Sequence, residues 1–262
     1  MAPEAATSHV TLWIAHGSRD ARSTELARRL MEVLDQTDAD SRHAVAFLGH
    51  DSPAVGEALQ SVAFASAATI DIAPLLLLPS NHLQRDIPRV EQIVCQQLGQ
   101  ATVRRLPSLG QATSLRDWCR RQAEAAHERL AARLGTSQPC HHLVLGRGGA
   151  TDGLKHYLRE LYRSADFSVR WAEPTAVLLL TDANWKNRLA EALRWPTVIQ
   201  VHLLLPGVLS ERVRQAAQRL GDSAAVSIPQ SCELIPSVVE PGDLERFCGE
   251  VLLPYLREAG RR

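Results

Sequence analysis

Residues 10–20 read VTLWIAHGSRD, and residues 72–88 read IAPLLLLPSNHLQRDIP. Each stretch is an apolar run, typical of a buried parallel strand, followed by a loop that carries a histidine, His16 or His82. In an open α/β sheet, ligands bind beyond the carboxyl ends of the strands, where the strand order reverses. If the two runs are the first and third strands of such a sheet, both imidazoles lie in one site that can bind a metal ion or accept protons.

Apolar runs alternate with helical patterns along the chain, which predicts βαβ units and parallel sheets, and so the α/β fold class. We predict strands near 10–15, 43–48, 69–78 and 101–106, and a second series near 142–146, 167–172, 197–205 and 224–228. We predict helices near 20–36, 53–66, 83–98 and 111–134, and then near 152–163, 184–194, 209–220 and 241–259.

The two series resemble each other, which predicts two duplicated flavodoxin-like domains, each a parallel sheet flanked by helices, with a cleft between them. The matching segments are 75–79 with 202–206, 12–17 with 143–148, and 52–55 with 173–177. The polar, turn-rich segment 134–139 predicts the boundary, giving an N-terminal domain 1–135 and a C-terminal domain 136–262. Arg147 and Leu209 occupy the places of His16 and His82, so any two-histidine chemistry belongs to the first half.

The composition of the chain argues against several classes of function and location. The 29 basic and 29 acidic residues balance, which argues against a nucleic-acid partner. The start of the chain lacks the features of a secretory signal, and no apolar stretch is long enough to span a membrane. The five cysteines form no C-x-x-C pair, so we expect reduced thiols. A cytoplasmic globular protein with no membrane contact is therefore expected.

The candidate chemistry centres on the two histidines as metal ligands and proton acceptors. His50 follows the second strand and is a further candidate at the same edge. Arginines near strand ends suit a substrate with several carboxylates, because guanidinium binds carboxylate through two parallel hydrogen bonds. The candidate substrate-binding residues are Ser18, Arg19, Arg85, Arg147 and His50. The adjacent His141 and His142 are interpreted as a solvated boundary.

A glycine-rich turn offers a different reading. The segment GRGGA at 146–150 follows a strand and precedes a helix, where a phosphate can bind. Thr151 breaks the pattern G-x-G-x-x-G, and no G-x-x-x-x-G-K-[ST] motif occurs. A phosphate-ligand enzyme is therefore a third hypothesis, behind the two that follow from the histidines.

These motifs, taken together, resemble the class II chelatases of tetrapyrrole biosynthesis, in particular the long, two-domain sirohydrochlorin chelatases. The resemblance is carried by residues 15–20, 74–79, His82 with 86–88, and then by 145–148, 172–174 and 205–209. It implies insertion of Co²⁺, Fe²⁺ or Ni²⁺ into sirohydrochlorin without ATP or an organic cofactor, with Co²⁺ expected first. His16 and His82 would bind the metal and help to remove two pyrrole protons, while Arg19, Arg85 and Arg147 would bind the substrate's carboxylates.

The sequence departs from this family at one position. Many relatives carry glutamate after Phe-Leu at the end of the second strand, whereas this chain has Gly49 followed by His50. Either His50 takes the role of the glutamate, or the protein is a non-catalytic tetrapyrrole or metal carrier derived from a chelatase. The internal duplication fits either a monomer that acts as a pseudo-dimer or a homodimer.

Overall fold

The fold consists of two four-stranded parallel sheets with the same strand order. A computed structural model describes residues 9–18, 20–49, 53–78, 82–135, 139–147, 152–163, 166–223 and 232–260. The first sheet has the order β2-β1-β3-β4 and the second the order β6-β5-β7-β8. The chain therefore passes from the first strand of each sheet to one side and then to the other, which makes the first and third strands neighbours.

The first sheet is formed by β1 (His9–Ala15), β2 (Arg42–Phe47), β3 (Thr69–Pro74) and β4 (Thr102–Arg105). Its connections contain α1 (Ala21–Thr37), α2 (Val55–Ala58), α3 (Val62–Ala65) and α4 (Ile87–Gln97), the last preceded by a π-helical turn (His82–Asp86). A 3₁₀ turn (Leu109–Gln111) leads into α5 (Thr113–Leu134). The core is built from buried residues of β1 and β3 and the helices above them, because parallel strands are covered on both faces.

The second sheet is formed by β5 (His141–Gly146), β6 (Ala176–Leu179), β7 (Thr197–His202) and β8 (Cys232–Ile235). Its helices are α6 (Asp152–Leu161), α7 (Trp185–Ala192) and α8 (Val208–Ser223). The chain continues through a 3₁₀ turn (Pro241–Asp243), α9 (Leu244–Phe247), a π-helical turn (Cys248–Leu252) and α10 (Leu253–Gly260). No helix in the described parts of the chain is both long and apolar enough to cross a membrane.

The compact units divide the chain differently from the predicted boundary at residue 135. One unit combines Met1–Leu115 with Pro241–Arg262, and the other is Arg116–Glu240. The last helices belong to the first unit because Tyr255 packs on Trp13, with ring centroids 5.8 Å apart. Most of α5 belongs to the second unit, where the Trp118 indole donates a hydrogen bond to the Val238 carbonyl.

The predicted α/β class, the parallel sheets and the duplication are confirmed, but three local predictions are wrong. Residues 167–172 form no strand, since β6 begins only at Ala176 and pairs there with Leu143. The predicted helix 53–66 is two short helices separated by residues 59–61. Pro174 precedes β6 while Pro53 follows β2, so these prolines are not equivalent in the two halves. The predicted strand 224–228 lies outside the described residues.

Candidate metal and proton-transfer site

His16 follows directly after β1 and is exposed. The next residue, Gly17, has a φ of 84°, a conformation that glycine adopts without steric cost and that turns the chain away from the strand. Asp20 then caps α1, because its carboxylate accepts a hydrogen bond from the Arg22 backbone N–H at 3.1 Å. The strand, the glycine turn and the capped helix together place His16 at the carboxyl edge of the sheet.

His82 reaches the same edge from the neighbouring strand. Leu75, after the end of β3, donates its N–H to the Ile14 carbonyl at 2.9 Å, which extends the pairing toward His16. His82 is the first residue of the π-helical turn that precedes α4. Pro88 has no N–H with which to close this turn in the α-helical pattern, consistent with a wider turn at this point.

The structure brings the two predicted histidines into contact. The centroids of the His16 and His82 rings are 4.5 Å apart, and the rings are inclined by 75°. The second nitrogen of one ring is engaged: His82 Nδ1 lies 2.5 Å from an oxygen of Asp86. His82 therefore has its Nε2 atom available for a ligand, and this side chain is 35% exposed.

Within the described residues, no group of three or more His, Cys, Asp or Glu side chains is arranged to bind a metal ion. Among the residues that the structure describes, the site thus offers two candidate ligands, His16 and His82. Gly49 lies beside it, because Leu48 donates a hydrogen bond to the Ala15 carbonyl and so continues the β1–β2 pairing. A Cβ atom at Gly49 would be 3.3 Å from the His16 carbonyl oxygen, so a side chain at this position would start next to the first histidine.

The structure describes three of the other five predicted site residues, namely Ser18, Arg85 and Arg147. Ser18 lies in the loop after His16, where its hydroxyl accepts a hydrogen bond from the Asp20 N–H. Arg85 is exposed on the π-helical turn, between His82 and Asp86. Arg147 is exposed directly after β5, in the second unit. Arg19 and His50 lie outside the described residues, as do residues 148–151 of the glycine-rich turn.

In the second sheet, an arginine stands at the position that corresponds to His16. Leu180 donates to the Gly146 carbonyl as Leu48 donates to Ala15, which makes Arg147 the equivalent of His16. Gly146 itself is needed for packing, since a Cβ atom there would lie 2.7 Å from the Leu158 side chain. This close contact explains the first glycine of the turn without a phosphate.

Two histidines of the second unit are buried and belong to its packing. The prediction that His142 is solvated is wrong: it is 2% exposed and stacks on Trp171 at 4.5 Å, because β5 is a central strand covered by helices. His202 is 1% exposed and lies 2.8 Å from the Tyr162 hydroxyl. Burial lowers the pKa of each of these two histidines to about 3, so both are neutral at physiological pH.

A charged cluster lies at the opposite end of the first sheet, away from His16. The side chain of Asp71, in β3, is 4% exposed and accepts hydrogen bonds from Arg104 at 2.6 and 2.7 Å. His9 Nε2 lies 2.8 Å from the same carboxylate. Burial alone would raise the pKa of Asp71, but the hydrogen bonds with His9 and Arg104 outweigh it and hold the pKa below its usual value.

Comparison with known proteins points to one family. Residues 10–126 match the model of the CbiX family. A curated sirohydrochlorin cobaltochelatase of Methanococcus maripaludis is 26% identical over 77 residues, which cover 29% of this chain and 54% of that relative. The matched segment thus spans about half the length of this curated relative.

The fold also matches solved structures over nearly the whole chain. The structure of SirB from Bacillus subtilis with Fe³⁺ has a TM-score of 0.71 at 19% identity, covering 97% of this chain and 98% of that one. SirB from Bacillus subtilis subspecies spizizenii in complex with cobalt has a TM-score of 0.69 at 17% identity, with the same coverage. At these identities the likeness shows a shared two-domain α/β fold.

Proposed function

We propose that this chain, which is a member of the class II chelatase family, inserts a divalent metal ion into a tetrapyrrole of the sirohydrochlorin type without ATP. The contact between His16 and His82 carries the proposal, because two imidazoles at one sheet edge can receive a metal ion and then accept protons. The relatives support the substrate: one is a sirohydrochlorin cobaltochelatase, and another is a sirohydrochlorin chelatase structure that holds cobalt.

The proposed reaction replaces two pyrrole protons by one metal dication, so two protons must leave the tetrapyrrole. A neutral imidazole uses the same lone pair to bind a metal and to accept a proton. When the metal passes from His16 and His82 to the pyrrole nitrogens, each lone pair becomes free for one of the two protons. The imidazolium ions that result repel the dication and oppose its return.

The arginines are proposed to bind the substrate's peripheral carboxylates. Arg85 is exposed beside His82, and Arg147 is exposed at the position equivalent to His16. A guanidinium group binds a carboxylate through two parallel hydrogen bonds, which orients the macrocycle as well as attracting it. Ser18, Arg19 and His50 complete the proposed set of substrate-binding residues.

The test is anaerobic absorption spectroscopy of sirohydrochlorin with the protein and Co²⁺, Fe²⁺ or Ni²⁺. Spectral conversion of many equivalents per protein is expected, with Co²⁺ expected to be the fastest because one relative is a cobaltochelatase and one similar structure holds cobalt. Conversion no faster than in the absence of protein would contradict the proposal.

A non-catalytic carrier is the second candidate, and Gly49 is the observation that favours it. The site has two histidines and, within the described residues, no third ligand. A carrier would shift the tetrapyrrole spectrum at one equivalent and then stop. The same titration therefore separates the two functions.

Replacing Gly49 by glutamate is expected to tighten Co²⁺ binding about tenfold, because a carboxylate beside His16 supplies a third ligand and a negative charge. Gly49→Ala is the matched control, since its Cβ atom meets the same carbonyl without adding a ligand. Isothermal titration with Co²⁺ alone measures the effect. Equal affinities for the two variants would show that this position does not face the metal.

A further inference from the structure

We infer that Asp86 is a positioning residue that fixes the tautomer of His82, so that Nε2 presents its lone pair to the metal ion. The inference rests on the proposed function for its chemical meaning, but the contact itself is a feature of the fold. His82 Nδ1 and Asp86 Oδ2 are 2.5 Å apart, a hydrogen-bond contact shorter than the usual distance between a ring nitrogen and a carboxylate oxygen.

The tautomer follows from the nature of the two groups. A carboxylate can only accept hydrogen bonds, so the hydrogen between it and His82 must belong to Nδ1. A neutral imidazole carries one N–H, and therefore Nε2 has a free lone pair. The contact thus selects the one neutral form of His82 that can bind a metal through Nε2.

The fold holds the pair in place through the turn on which both residues lie. His82 and Asp86 are four residues apart at the start of one helix, a spacing that brings side chains onto the same face. Ile87, the next residue, is completely buried and anchors this end of α4 in the core of the first sheet. The imidazole can therefore rotate little without losing the hydrogen bond.

The two histidines are not equivalent in this respect. Each is followed by an aspartate four residues later, but Asp20 is engaged by Arg22, whose Nη2 lies 2.7 Å from its carboxylate. The aspartate that follows His82, by contrast, contacts the imidazole ring itself.

The test combines a direct observation of the tautomer with steady-state kinetics on the full chain. In Asp86→Asn the side-chain amide can donate to Nδ1, and in Asp86→Ala the acceptor is absent. Both changes are expected to shift His82 toward the Nε2–H tautomer, observed by ¹⁵N NMR of the imidazole nitrogens at a pH well above the usual histidine pKa. Metal-insertion kcat is expected to fall about 10- to 100-fold, with KM for sirohydrochlorin unchanged.

Glu91→Gln is the matched control. This change removes a carboxylate of α4, the helix that follows the turn, and that carboxylate pairs only loosely with Arg105, at 3.6 Å. It is expected to change neither the tautomer nor kcat. Persistence of the Nδ1–H form in both Asp86 variants would overturn the inference. So would variants whose kcat equals that of an active wild type. A wild-type protein that inserts no metal refutes the proposed function instead, and the NMR result still decides the role of Asp86.

Discussion

Replacing His16 or His82 by alanine is expected to lower the rate of metal insertion at least about 100-fold, the range lost when a positioned proton acceptor is removed. Each ring supplies one lone pair in the proposed reaction, and their contact at 4.5 Å means that neither can be replaced by a distant side chain. His16 is exposed and His82 is part-exposed, so the free energy of unfolding of each variant should lie within about 0.5 kcal/mol of the wild-type value.

Initial rates of the spectral conversion, together with thermal unfolding of each variant, measure this prediction. His156→Ala is the control, since this histidine is exposed on α6 and lies outside the proposed site. It is expected to retain full activity. A folded double variant lacking both His16 and His82 that still inserts metal at the wild-type rate would remove the basis of the proposed function.

Replacing Arg104 by methionine is expected to lower the free energy of unfolding by about 2 kcal/mol. In the wild type, His9 and Arg104 both contact the buried Asp71 carboxylate. After the change, His9 is the one of these two partners that is left. Removal of one partner from a buried ion pair costs about 3–5 kcal/mol, and the expected loss is smaller here because the Arg104 side chain is 44% exposed. Denaturant unfolding at neutral pH measures the loss.

The pH dependence of this loss has a defined sign. The folded-state pKa of Asp71 lies below its usual value, so its charge contributes stability above the unfolded pKa of about 3.9, and this contribution is lost as the pH falls through the folded pKa. The difference between the wild type and Arg104→Met should therefore shrink as the pH falls below about 4.

Two further variants separate the buried charge from general effects. Asp71→Leu combined with Arg104→Met is expected to be more stable than Arg104→Met alone, because the uncompensated carboxylate is gone. Glu25→Gln removes an exposed carboxylate whose nearest Arg28 nitrogen is 3.9 Å away, and it should change stability little. A double variant less stable than Arg104→Met would contradict this explanation.

The sequence predicted the sheet edge that carries the histidines because the signals there are local. Long apolar runs identify buried parallel strands, and the histidines follow them directly. The duplication then predicted that Arg147 replaces His16, which the backbone pairing at Gly146 and Ala15 confirms.

The missed features depend on packing that no local pattern encodes. Residues 167–172 alternate apolar and polar side chains as a strand does, yet Phe167 and Trp171 pack around His142 while Ala176–Leu179 pairs with β5. The role of Asp86 is hidden for a similar reason, since a carboxylate four residues after a histidine is usual on a solvated helix. Only the 2.5 Å contact distinguishes it.

The division of the chain into units has a consequence for biosynthesis. The second unit is continuous, whereas the unit that carries His16 and His82 consists of Met1–Leu115 and the much later segment Pro241–Arg262. On a ribosome the chain emerges from its amino end, so all residues of the second unit are available before the first unit can be completed. Synthesis of the unit that carries His16 and His82 thus starts before that of the second unit and ends after it.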